Sequence, residues 1–117
     1  MDIMVTKLTP RAEKVKEFKA RFEFLKSCCY EGDDLSTTIQ VIHWEQTDAD
    51  EPEEAAVVRL ANGQYGILEA WEDYTGHGWQ CASSGSVYES YDKAITFGLT
   101  KDGRELLGIF VHNLDED

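Results

Sequence analysis

The dipeptide Asn62-Gly63 lies between two apolar-rich runs, Ala55–Ala61 and Gln64–Glu72. Asn-Gly tolerates the positive φ of a tight turn, so the two runs are committed to an antiparallel hairpin. With a two-residue loop, Val58 faces Ile67, Leu60 faces Tyr65, and Val57 faces Leu68 on the other side. An antiparallel hairpin following a helix favours α+β over α/β.

The helix is written upstream. Thr9 is an N-cap and Pro10 takes the first helical position, where its missing N–H costs nothing. Leu8, Val15, Phe18, Phe22 and Leu25 then recur at helical spacing, which predicts an amphipathic helix over 10–28. Phe24 falls on the opposite side from that stripe. It either makes a second contact under a loop or stays exposed for a partner or for self-association as a homodimer. Before the helix, Ile3 and Val5 alternate with polar neighbours, as in a short edge strand.

Tyr30–Leu35 reads as a turn, with Gly32 ending the helical region and Asp33 and Asp34 as turn formers. Ser36–Glu45 is rich in β-branched residues and apolar on both faces, so it reads as a strand covered on both sides. Residues 73–86 form a loop, and 86–89 a short strand. Ser90 caps a helix over Tyr91–Phe97 that Gly98 stops, and Thr100 caps another starting at Lys101. Residues 109–112 either extend that helix or form a last strand, and 115–117 are an acidic tail. The expectation is one α+β domain over 1–117: an N-terminal helix packed on a mainly antiparallel sheet of about four strands, with short C-terminal helices.

Charge narrows the function. The chain has 23 acidic and 11 basic side chains, a net of −12. Residues 1–26 carry +3 and the remainder −15. Such a body repels nucleic acid and anionic membranes and attracts basic surfaces. Apolar runs are too short for a transmembrane helix, and no secretory signal precedes the helix. Three cysteines, two of them adjacent at 28 and 29, do not make a disulfide framework, and a reducing bacterial cytoplasm is the expected location.

Two places carry the functional candidates. The acidic loop 45–54 has six carboxylates in ten residues, among them Asp48, Asp50, Glu51, Glu53 and Glu54. It is either a solvated connection or an electrostatic recognition loop; the spaced ligands and bend glycine of a calcium loop are absent. Asp73–Ser86 holds His77 and Cys81, four apart and flanked by Gly76 and Gly78. These two come nearest to a zinc pair or a thiolate–imidazolium couple, but no C-x-x-C stands beside them. Neither a catalytic set nor a cofactor is therefore expected. Glu69, between Ile67 and Trp71, is either a rim residue or a carboxyl with a raised pKa.

The run DYTGHGWQC, followed by SVYESYDKAITFGLT and DGRELLG, resembles a type of small protein found in phages and prophage-bearing bacteria. The matching positions are Asp73, Tyr74, Gly76, His77, Gly78, Gln80 and Cys81, then Gly98, Leu99 and Thr100, within about residues 60–108. Trp79 departs from the pattern where some relatives have a further cysteine, which counts against a metal. The resemblance implies a phage-like setting rather than an activity. The charge profile is similar to that of anti-CRISPR and DNA-mimic inhibitors.

The expected function is therefore a non-enzymatic inhibitor that presents carboxylates to the basic nucleic-acid site of a host protein. The charged contact groups would be Asp33, Asp34, Asp48, Asp50, Glu51, Glu53, Glu54, Glu69, Glu72, Asp73 and Glu89. Trp44, Trp71, Tyr74 and Trp79 are the candidate aromatic anchors. The alternatives are a small zinc- or cysteine-dependent enzyme using His77 and Cys81, and an acidic domain or adaptor whose charge only keeps it soluble.

Overall fold

The computed structural model describes residues 9–48, 52–73, 78–112 and 114. Ile3, Val5, Leu8, Asp50, Glu51, Tyr74, Gly76, His77 and the tail 115–117 lie outside the described residues. The fold is α+β. Helix α1 (Pro10–Cys28) leads into strand β1 (Tyr30–Gly32), followed by β2 (Thr38–Gln46), β3 (Glu53–Leu60), β4 (Tyr65–Asp73) and β5 (Gln80–Tyr88). Helix α2 (Tyr91–Lys93) widens into a π-helical turn over Ala94–Gly98, and α3 (Lys101–Leu107) follows.

The strands form one sheet in the order β1-β5-β4-β3-β2. Every pairing is antiparallel except β1 with β5, which is parallel. The sheet thus has five strands rather than about four, because the stretch read as a turn at Tyr30–Gly32 is a short strand. Strand β5 also begins at Gln80, well before the 86–89 segment expected from sequence.

Thr9 caps α1 as expected, its hydroxyl accepting from the Ala12 N–H at 3.1 Å. The helix buries Phe18, Phe22 and Leu25 completely against one sheet face, with Leu35, Ala56, Val58, Leu60 and Leu68. Each such side chain contributes about 1.5–3 kcal/mol relative to exposure. On the other face, Ala55, Val57 and Ile67 pack against Ala94, Leu99 and the apolar side of α3. Helices on both faces explain why β3 is apolar on both sides.

The hairpin register differs from the two-residue reading by one position. Gly63 N–H donates to Leu60 C=O at 3.0 Å, and Leu60 N–H to Gln64 C=O at 2.8 Å. The loop is therefore three residues, Ala61–Gly63, with Gly63 at φ +88°. This is a turn closed by a glycine bulge, the other common hairpin connection. Val57 consequently faces Ile67, Ala56 faces Leu68, and Val58 faces Gly66.

The C-terminal region departs in a second way. Helix α2 does not run regularly to Phe97; it opens into the wider turn, where one carbonyl, and that of Leu99 just beyond, is taken up by a side chain from α3. Buried Arg104 donates to Leu99 C=O at 2.6 Å and Ile95 C=O at 3.3 Å. Gly108, at φ +71°, ends α3, and residues 109–112 are neither helix nor strand.

Candidate functional site: an acidic cleft on the sheet

The sheet register decides which carboxylates meet. Glu31 on β1 pairs with Ser84 on β5, Ser84 with Glu69 on β4, and Glu69 with Ala55 on β3. In the next row, Ala82 pairs with Trp71, and Trp71 with Glu53. The two rows lie on the face that α3 packs against. There they form a cleft of ≈ 450 Å³, walled on one side by Thr100, Asp102 and Leu106.

Helix α3 is anchored at the cleft rather than covering it. The Thr100 hydroxyl donates to Glu69 Oε1 at 2.6 Å, and its N–H donates to Glu69 Oε2 at 3.1 Å. The same hydroxyl accepts from Gly103 N–H at 3.0 Å, capping the helix. Gly103 must be glycine for this approach: a Cβ there would lie 2.6 Å from Glu69 Oε1. Glu69 is therefore a structural rivet at the inner end of the cleft.

Glu31, Glu53 and Asp102 are exposed and have no ion-pair partner among the described residues. No lysine, arginine or histidine is among the described residues that line the cleft. Trp71 keeps 45% of its surface exposed there. A concave wall of one charge sign focuses its field, and an exposed indole adds a face for a cation. Chemically, this arrangement suits an ammonium or guanidinium group.

The other sequence candidates are dispersed. Glu54 and Glu72, 3% and 6% exposed, are turned inward under α1. Arg21 binds both, donating to Glu54 at 2.9 Å and Glu72 at 3.1 Å, and Trp44 Nε1 donates to the second Glu54 oxygen at 2.7 Å. Burial acts to lower the Arg21 pKa, but the two carboxylates outweigh it and hold the guanidinium above its usual value. Trp44 is thus a half-buried residue tied into the fold, its ring edge-on against Phe18.

Asp33 accepts from Val87 N–H at 3.1 Å, and Asp34 accepts from Ser36 N–H at 2.8 Å. The Ser36 hydroxyl first, then its backbone N–H, lowers the Asp34 pKa. Both shape the turn after β1, at the opposite end of the sheet from Glu53. Glu89 pairs with Lys93 at 3.3 Å, Asp73 ends β4, and Asp48 is exposed after β2. Phe24 is 46% exposed, yet its ring lies 6.2 Å from that of Trp79, which is itself 43% exposed. These two form a small aromatic patch on the α1 face, away from Trp71.

Sequence reasoning missed Glu31 and Asp102. Glu31 reads from sequence as part of a turn, and Asp102 is a first-turn helix residue like many others. Only the parallel β1–β5 pairing and the seating of α3 bring them to Glu53. The cysteine reading also changes. Burial first, then the neighbouring Cys29 and Cys28 thiols and Glu72, push the Cys81 thiol up to about 12. That suppresses the thiolate a nucleophile needs. No group of three or more histidine, cysteine or carboxylate ligands is gathered among the described residues, and none of their helices is long and apolar enough to cross a membrane.

No protein family matches the chain, and no curated protein or solved structure is similar to it.

Proposed function

We propose that the protein is a non-enzymatic inhibitor or adaptor that binds a basic surface of a nucleic-acid-handling protein, with the cleft as its gripping point. The observation that carries this reading is the grouping of Glu31, Glu53 and Asp102 with exposed Trp71, with no basic residue among the described residues that line the cleft. A lysine or arginine side chain that enters meets carboxylates and an exposed indole in the same lining. Net charge of −12 supplies the long-range attraction, and the cleft supplies a local fit. The phage-like resemblance of residues 60–108 points to a host defence protein, such as an RNA-guided nuclease, as the target. By occupying basic residues that bind phosphates, the protein would exclude the nucleic acid.

The test separates the cleft from the general field. An arginine-rich peptide is titrated against the protein and two triple variants, at low and high salt. One variant carries Glu31→Gln, Glu53→Gln and Asp102→Asn. The other carries Glu13→Gln, Glu17→Gln and Glu23→Gln, the same change in charge on α1. The cleft variant is expected to lose at least tenfold in affinity, equivalent to about 1.4 kcal/mol, and the α1 variant much less. Equal losses would show that only net charge matters and would remove the cleft from the proposal.

A further inference from the structure

The three cysteines gather at one corner of the fold, although two of them lie more than fifty residues from the third. Cys29 follows the last turn of α1, held by its N–H to Leu25 C=O at 2.8 Å. Its side chain packs against the α1-side core, and its sulfur lies 3.4 Å from Ser83 Oγ. Cys81 precedes Ser83 by two residues on β5, so both side chains emerge on that same sheet face. The register agrees: Cys81 pairs with Glu72, which Arg21 holds beneath α1. The Cys81 thiol therefore comes up on the same sheet face as Cys29, whose sulfur lies against Ser83, the next residue of β5 on that face. Cys28 is exposed, and its sulfur is 3.6 Å from Ser27 Oγ.

We propose that Cys29 and Cys81 form a two-electron oxidation site, which a peroxide converts to a disulfide joining the end of α1 to the start of β5. The Cys29 thiolate attacks one peroxide oxygen; the O–O bond breaks and hydroxide leaves, taking up the thiol proton as water. Cys29 is then a sulfenic acid. Cys81, the slower nucleophile of the pair because its proton is held tightly, gives up that proton as its sulfur attacks the Cys29 sulfur; the S–O bond breaks, and the hydroxyl leaves with the proton as a second water. Two thiols and one peroxide thus give one disulfide and two waters. A dithiol reductant reverses the change by exchange. The bridge would enclose β1 through β4 in one covalent loop and fix α1 to the strand that carries Ser84 and Ala82 of the cleft.

Hydrogen peroxide is applied to the purified full chain, remaining thiols are alkylated, and peptides are mapped without reduction. The expected product is a monomer in which Cys29 and Cys81 are linked and Cys28 alone is alkylated. Cys28→Ala should still form the bridge, whereas Cys29→Ser and Cys81→Ser should not. The bridged form should melt at higher temperature than the reduced form, and dithiothreitol should return it to the original midpoint. Three alkylated thiols after treatment, a bridge that includes Cys28, or dimers linked between chains would each overturn the proposal. Because the peptide map is made on the unmutated chain, poor folding of a variant leaves the result intact.

Discussion

Glu69 accepts hydrogen bonds from both the backbone N–H and the hydroxyl of Thr100. One carboxylate in the middle of the sheet therefore fixes the residue that starts the last helix. Removing the hydroxyl deprives both partners at once. Thr100→Ala is expected to destabilise the protein by about 1–3 kcal/mol, from the lost cap and the lost hydroxyl bond to the carboxylate, which keeps only the backbone N–H. Thr100→Ser should keep most of that stability. Urea unfolding of the three proteins checks this, and equal midpoints for Ala and wild type would mean that solvent replaces the bond fully.

The Arg21 cluster should respond more strongly. Arg21 is 20% exposed in its side chain, while the Glu54 and Glu72 side chains are 2% and 8% exposed. Arg21→Met leaves two carboxylates facing each other without their cation. The expected loss is about 3–5 kcal/mol at neutral pH. Denaturant melts at pH 7 measure the effect; a variant that loses no stability would contradict the buried pairing.

Alkaline pH should weaken the fold through Tyr30. Burial first, then Asp33 and Asp34, push its phenol from 10.0 up to about 12. The folded chain holds this proton more tightly than the unfolded chain. The contribution is thus fully present below pH 10 and is lost as pH rises through about 12. Ultraviolet titration of the phenolate should show Tyr30 ionising late, and Tyr30→Phe should flatten the loss of stability across that window. An unchanged slope in the variant would place the alkaline sensitivity elsewhere.

Thiol labelling of the reduced protein should follow burial and ionisation. Iodoacetamide should reach exposed Cys28 first and Cys81 last. Since the Cys81 thiol is pushed up to about 12, its labelling rate should climb about tenfold per pH unit with no plateau near neutrality. Mass-resolved peptide mapping over pH 7–10 reads this directly; a plateau for Cys81 near neutrality would restore the reactive-cysteine reading.

The hairpin offers the sharpest local test. Gly63 sits at φ +88° with open space around it, so Gly63→Ala brings strain but no clash. The expected cost is about 1 kcal/mol. Substituting Gly66 is a different matter, because a Cβ there would lie 2.6 Å from Leu35 and 3.0 Å from Val58. Gly66→Ala should cost more than Gly63→Ala despite its ordinary backbone, and the reverse order in denaturant melts would argue against the observed register.

Local chemistry was readable and long-range pairing was not. Thr9-Pro10, Ser90 and Thr100 each cap the element expected, because capping is a contact between residues three or so apart. Asn62-Gly63 identified the hairpin but not its register, since the same dipeptide serves two- and three-residue loops. Tyr30–Gly32 was invisible as a strand: three residues carry no alternation, and its partner lies more than fifty positions away. Glu54 and Glu72 stand in acidic surroundings that read as solvated surface. Only Arg21, arriving from a helix far earlier in the chain, makes them interior residues. The cleft was half-legible for the same reason: Glu53, Glu69 and Trp71 belong to one hairpin, whereas Glu31 and Asp102 reach it by tertiary pairing.

Strands β1 and β2 are consecutive in the chain yet occupy opposite edges of the sheet. Only the short link Asp33–Thr37 joins them, and it passes beneath the ends of the intervening strands, with Leu35 fully buried along the way. That link has nothing to lie against until β3, β4 and β5 have assembled. The β1–β5 pairing joins residues more than fifty positions apart, the longest-range strand contact in the sheet, so one five-residue link and one distant pairing together tie its two edges to each other.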